Sequence, residues 1–296
     1  MKEIINNNNV QQSGEYFNPN DFNYLSVIGE GEYGKIYWVQ KKNNPNEYYA
    51  MKIEIFQHLE DAQKSLMITG IIKDFLKKTN SLGVIYIYSD VCLYYNNLYY
   101  YYVLMETAER DMELELKIRC KYNQFYTEEE LINVLCQLII VLAQLQKNNI
   151  AHRDIKPQNI LIIQGVYKIS DFGEVIKLNN SDANIVQRLA GSELYMSPLL
   201  FYGLRQNKLE IKHNVYKSDV FSLGYCILLA GSLNYDSLVQ IRELTDMNQI
   251  QNVLVYFLSG RYSNNLISFL IKMIEVDENK RPDFIQLESM LVQKNN

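Results

Sequence analysis

The stretch AHRDIKPQNIL, residues 151–161, decides how this chain is read. An apolar helical pattern runs into three cations, an acid, a proline and two carboxamides, then turns apolar again. Asp154 could accept a proton from a hydroxyl. Lys156, two residues on, could neutralise a transferring phosphoryl group, and Asn159 could ligate a hard cation through its amide oxygen. The competing reading is a polar loop that merely ends the preceding helix. Crowding Asp, Lys and Asn between two apolar runs would be a costly way to build a turn.

Upstream of this packet, Thr127 with Glu130 forms a capping-box signal. It opens a long helix in which Leu131, Leu135, Leu138, Leu142 and Leu145 recur at helical spacing, with Asn148-Asn149 as its expected end. Downstream, ILII-QG-VYKI (160–169) predicts a hairpin turning at Gln164-Gly165. Asp171-Phe172-Gly173 follows directly, and a carboxylate there could hold magnesium between phosphates.

Further out, IGEGEYGKI carries Gly29, Gly31 and Gly34, whose lack of Cβ lets backbone N–H groups approach phosphate. The segment after Gly34, KIYWVQ, alternates as a strand and does not begin a helix. That disfavours a dinucleotide-binding fold and favours a hairpin folded over a nucleotide. On the next strand, alternation puts Ala50 and Lys52 on one face beside the glycine hairpin. A small residue there makes room for a flat base, and a cation beyond it could hold phosphate oxygens. Taken alone, the same segment reads as a strand with a snorkelling lysine.

Composition sets the outer bounds. The 296 residues are 48% hydrophobic and 21% charged, enough for a sizeable core, and 24 of them are Tyr against one Trp. A net charge of −5 without a long basic run leaves a nucleic-acid partner unsupported. Cys92, Cys120, Cys136 and Cys226 form no CxxC pair, which suits a reducing compartment. The N-terminus lacks the apolar core of a signal peptide and no unbroken eighteen-residue apolar run occurs, so a cytoplasmic protein (or a nuclear one) with no membrane partner is expected. Residues 1–20 read as a flexible Asn- and Gln-rich leader. Residues 22–56 are strand-like, 58–78 helical, and VIYIYSDV and LYYYYVLME strand-like again. After a joint near 105–112 the chain turns mostly helical, an α+β, two-lobe plan.

The ordered set GxGxxGxI, AMK, HRDIKPQN, DFG, GSELYMSP, SDVFSLG and RP resembles the eukaryotic protein kinase domain, serine/threonine type. The resemblance covers roughly residues 22–290, so no accessory domain is expected. It implies a small antiparallel-sheet N-lobe with one main helix (21–105), a hinge (106–111) and a larger, mostly helical C-lobe (112–293). It also implies ATP and Mg2+ as cofactors and a protein substrate with a Ser/Thr acceptor. Ile28, Gly29, Gly31 and Gly34 would cover ATP, and Lys52 would bind its α- and β-phosphates. Asp154 would be the catalytic base, Lys156 would stabilise the γ-phosphoryl, and Asn159 with Asp171 would hold magnesium. Met105 would guard the adenine pocket, with Glu106 to Ala108 as the hinge and Ile36, Ala50 and Leu161 around the ring. His152 and Phe172 would belong to the internal packing. The alternatives are a pseudokinase acting as a nucleotide-binding or scaffold module, and a kinase for small molecules. Nothing in the sequence speaks to oligomeric state, physiological substrate, subfamily or upstream regulator.

Three departures from that pattern stand out. The family's helix glutamate, partner of the strand lysine, falls at Thr69 in MITGII, leaving Glu60 or Asp74 as candidate acids. The motif usually ending in Pro-Glu reads Ser197-Pro198-Leu199, so Arg281 must find another acceptor or lie exposed. Between Glu174 and Ala190 only Ser181 carries a hydroxyl, and Arg188 stands at the usual phosphate-acceptor position. The segment therefore either needs no phosphate or uses Ser181.

Overall fold

The structure, a computed structural model, describes residues 3–5, 17–31, 34–179 and 183–293. The chain forms two compact units, residues 1–108 and 109–296. In the first, the strands are β1 (Glu3–Ile5), β2 (Phe22–Gly31), β3 (Gly34–Lys41), β4 (Tyr48–Phe56), β5 (Ile87–Tyr95) and β6 (Leu98–Met105). They make one antiparallel sheet in the order β1-β5-β6-β4-β3-β2. Glu3–Ile5, inside the stretch expected to be an unstructured leader, pair with Leu93 and its neighbours on β5. The β5–β6 hairpin turns on Asn96 and Asn97, both at positive φ (50° and 61°), the backbone that matches the twist of adjoining strands. Phe22, Val39, Met51 and Leu104 form a core cluster, with Phe17 packed against it.

Helix α1 (Leu59–Thr79) buries Ala62, Leu66, Ile72 and Phe75 at helical spacing and stops at Asn80, whose left-handed backbone (φ 51°) caps it. Glu60 and Asp74 lie on its exposed side.

The second unit begins with β7 (Arg110–Asp111) and α2 (Met112–Lys121). Next comes α3 (Glu128–Lys147), which carries the predicted Thr127–Glu130 capping box and ends at Asn148. After β8 (Ile150–Ala151), the hairpin of β9 (Ile160–Ile163) and β10 (Val166–Ile169) turns on Gln164 and Gly165 as the sequence predicts. β11 (Ile176–Lys177) returns to pair with β8. Two further strands were not legible in the sequence: β12 (Asn184–Arg188) pairs with β13 (Glu210–Asn214) on the far side of α4 (Pro198–Arg205).

Every residue of α5 (Val215–Ser232) except Lys217 is buried, as an apolar sequence without a polar face requires. Around it lie α6 (Tyr235–Arg242), α7 (Met247–Leu258), α8 (Asn264–Met273) and α9 (Phe284–Gln293). None of the described helices is long and apolar enough to cross a membrane.

Candidate active site

The glycine hairpin is built by close approach of backbones. Gly31 and Gly34 face each other across β2 and β3, while Glu32 and Tyr33 lie outside the described residues. A Cβ on Gly34 would stand 1.8 Å from the Ile53 carbonyl oxygen of β4, so no other residue fits. Gly29 lets Ile36 lie close, since a Cβ there would meet the Ile36 Cδ1 at 3.3 Å. Ile28 is exposed and Ile36 half-buried.

On β4, Ala50 is buried and directly opposite Met105 of β6, so a small residue adjoins a large one on the sheet. Just beyond Met105, the Glu106 N–H donates to the Tyr86 carbonyl (3.1 Å), and the Glu106 carboxylate accepts from the Tyr86 N–H (2.7 Å). Those two bonds pin the 106–108 segment to the chain before β5.

The candidate helix acids, Glu60 and Asp74, are exposed. A carboxylate that does pair with Lys52 is Glu54, two residues along the same strand, with Nζ to Oε1 at 2.8 Å. Glu54 is 6% exposed. Thr69, at the family's glutamate position, is buried and hydrogen-bonds the Tyr101 hydroxyl, which donates to Asp90 (3.0 Å). Asp90 in turn pairs with Lys73 at 2.7 Å. The alternation that places Ala50 and Lys52 together places Glu54 on that face too, and one more step of that reading finds it.

In the second unit the packet at 151–161 closes on Asp154. Its Oδ1 accepts from the Ser192 hydroxyl (2.8 Å), and its Oδ2 meets Lys156 Nζ (2.8 Å) and Asn159 Nδ2 (3.0 Å). Lys156 also donates to Ser192 Oγ (2.9 Å), and Asn159 to the Asp154 carbonyl (2.8 Å). Sequence reasoning quoted Ser192 only as part of GSELYMSP. No local pattern ties it to Asp154, because the contact spans 38 positions.

Beneath the loop, Asp219 of α5 accepts from the backbone N–H groups of His152 and Arg153, both at 2.9 Å. Burial lifts its carboxyl to about 7, against those two hydrogen bonds, which pull it down. His152 is 1% exposed, its Nε2 bonded to the Ser170 carbonyl (2.9 Å) and its ring 5.5 Å edge-on from Phe172. Burial lowers its pKa, so it stays neutral and structural.

The Ser170 N–H donates to the Asn159 carbonyl (2.9 Å), tying the strand before Asp171 to the packet. Asp171 is exposed, and its backbone is left-handed (φ 55°), as is that of Arg153 (φ 70°). Such conformations persist in non-glycine residues where surrounding structure enforces them. With Asn159 Nδ2 turned to Asp154, its Oδ1 is the atom left for a cation. One carboxylate and one carboxamide oxygen suit magnesium, which keeps water and phosphate as its other ligands. Among the described residues no cluster of three or more His, Cys, Asp or Glu is arranged to hold a metal by itself. Leu161, on β9, is half-buried.

The segment after Asp171 is tied down through Arg153 and Arg188. Arg153 donates to the carbonyls of Glu174 (3.4 Å) and Arg188, and the Arg188 Nη2 reaches both carboxylate oxygens of Glu174 (2.8 and 2.9 Å). Ser181 lies outside the described residues. Arg281 is 1% exposed and finds its acceptors in main-chain carbonyls: Glu275 (2.7 Å), Lys217 (2.9 Å) and Val276 (3.3 Å). Burial lowers its pKa to about 10, against the pull of Glu278, Glu275 and Asp277.

The Protein kinase domain family model matches residues 22–291, so the chain belongs to the protein kinase family. It is 27% identical over 270 residues to the probable serine/threonine-protein kinase nek3 of Dictyostelium discoideum, covering 87% of this chain and 22% of that protein. Calcium-dependent protein kinase 6 of Plasmodium berghei is 29% identical over 269 residues, covering 88% and 16% respectively. Serine/threonine-protein kinase Nek2 of Mus musculus is 24% identical over 286 residues, covering 92% and 60%. The chain thus spans only part of the length of these relatives.

Proposed function

We propose that this chain is an ATP- and magnesium-dependent serine/threonine protein kinase. The observation that carries the reading is the Asp154 carboxylate, oriented at once by Lys156, Asn159 and Ser192 over a loop anchored by Asp219. Residues 21–293 are taken as the kinase domain, with lobes at 21–105 and 112–293 joined by 106–111. Ile28, Gly29, Gly31, Gly34, Ile36 and Ala50 receive the nucleotide and Met105 bounds the base, and Leu161 is likewise assigned to nucleotide binding. The backbone of Glu106 to Ala108 bonds the base, and Lys52 takes the α- and β-phosphates.

Asp154 aligns the Ser or Thr hydroxyl of the protein substrate and accepts its proton as the oxygen bonds to the γ-phosphorus, while the bond to the ADP oxygen breaks. Lys156 offsets charge on the moving phosphoryl. Asn159 and Asp171 would hold the magnesium ion, which when bound neutralises phosphate charge. No observation favours a pseudokinase: Lys52, Asp154, Asn159 and Asp171 are all present, and Lys52 has a carboxylate beside it. All four cysteines are free, which suits the cytoplasm or nucleus as its place of action.

The test is phosphoryl transfer from labelled ATP with magnesium to a generic basic protein and to the chain itself, alongside Asp154→Asn. Incorporation on serine and threonine that disappears in the variant is the expected result. A folded chain that binds ATP yet transfers nothing would overturn the reading.

A further inference from the structure

We propose that Glu54 is the positioning residue for the phosphate-binding lysine, doing from within the sheet what a helix acid does elsewhere in the family. The inference rests on reading Lys52 as a ligand of ATP. Lys52 and Glu54 stand at i and i+2 on β4, on one face, with 2.8 Å between Nζ and Oε1. The side chains keep 25% and 8% of their exposure, so the acid is buried while the lysine reaches outward. Glu54 stands between two neighbouring strands of the sheet. Gly34 lies across the ladder on β3, and Tyr101, fully buried, lies across it on β6.

The other candidate acids of this unit are committed or turned away. Asp90 is engaged by Lys73 and by the Tyr101 hydroxyl, and Glu60 and Asp74 are exposed. Thr69 carries no charge and bonds to Tyr101.

A buried carboxylate contributes little to stability compared with a well-packed apolar side chain, so its presence at this point calls for a role in placing charge. A lysine has four rotatable bonds, and an acid beside its ammonium group reduces the ordering needed when phosphate arrives. Because both partners belong to one strand, the pair does not depend on where α1 sits. In kinases with a helix acid, helix position controls the equivalent pair; the Lys52–Glu54 contact lies within one strand, so its geometry is set by β4.

The test is nucleotide affinity of the full chain, with Mg·ATP and adenosine titrated side by side into wild type, Glu54→Gln, Lys52→Met and the double variant. Glu54→Gln should weaken Mg·ATP about tenfold, the worth of one charge-assisted hydrogen bond, and leave adenosine unchanged. In the Lys52→Met background the same change should weaken Mg·ATP no further, since the acid acts through the lysine. Equal weakening of adenosine and ATP, additive losses in the double variant, or tighter ATP binding by Glu54→Gln would each overturn the proposal. Should Glu54→Gln not fold, Glu54→Asp, which draws the charge back by one methylene, is read the same way. A wild type that binds both ligands but transfers no phosphoryl group refutes the proposed activity while leaving this affinity test intact. One that binds neither removes the nucleotide reading and this proposal with it.

Discussion

Replacing Arg281 by alanine tests whether main-chain carbonyls stand in for the missing glutamate. The guanidinium makes two short hydrogen bonds, to the Glu275 and Lys217 carbonyls (2.7 and 2.9 Å), and a long one of 3.3 Å to Val276. A buried acceptor stripped of its donor costs about 1–3 kcal/mol, and the long bond counts for little. The guanidinium also lies 4.9 Å from the Phe221 ring centre, a contact worth up to about 2 kcal/mol when desolvated. The sum is about 4 kcal/mol, a large share of the roughly 5–15 kcal/mol that holds a domain together. Melting followed by circular dichroism should therefore fall by about 10 °C.

The companion variant restores the family's acid. Leu199 is 43% exposed, and Arg281 already has its acceptors, so Leu199→Glu should shift stability by no more than about 0.5 kcal/mol. If Arg281→Ala were silent, or Leu199→Glu raised the melting temperature by several degrees, the carbonyl account would be wrong.

Gly34→Ala would press a methyl group against the Ile53 carbonyl, 1.8 Å from where its carbon must stand. It should destabilise by about 1–3 kcal/mol, read by urea unfolding, and weaken ATP binding; a silent change would mean the β3–β4 contact is looser than described. Asp219 gives a pH signature. Its folded pKa of about 7 lies above the ordinary carboxyl value, so the folded chain binds the proton more tightly. The resulting stability is complete below about pH 4 and is lost as pH rises through 7. Between pH 5.5 and 7.5 wild type should lose about 2 kcal/mol relative to Asp219→Asn, and a flat difference would rule out the raised pKa. Phosphatase treatment and Ser181→Ala should both leave transfer rates unchanged, because Arg153 already bonds the Glu174 and Arg188 carbonyls; a tenfold loss would show that a phosphate orders the segment.

What the sequence disclosed was whatever depends on short-range chemistry. Thr127 and Glu130 cap the helix because their bonds span three residues, and Gln164-Gly165 turns the hairpin because both adopt positive φ. Asp154, Lys156 and Asn159 converge because six consecutive residues hold all three. The contacts that complete the site are non-local: Ser192 reaches Asp154, and Asp219 reaches the His152 and Arg153 amides, across intervals that no periodicity encodes. The pairing of β12 with β13 escaped for the same reason, since neither NIVQR nor EIKHN carries a strong strand pattern alone.

Glu54 is the instructive exception. Its bond to Lys52 is as local as a strand allows, and alternation already had Ala50 and Lys52 on its face. The family resemblance points instead to α1, where the expected acid falls at Thr69. A resemblance specifies where a function usually sits; the period of the strand specifies what stands beside the lysine in this chain. Where the two disagree, the local geometry decides, because a 2.8 Å contact between opposite charges acts on Lys52 whichever element supplies it.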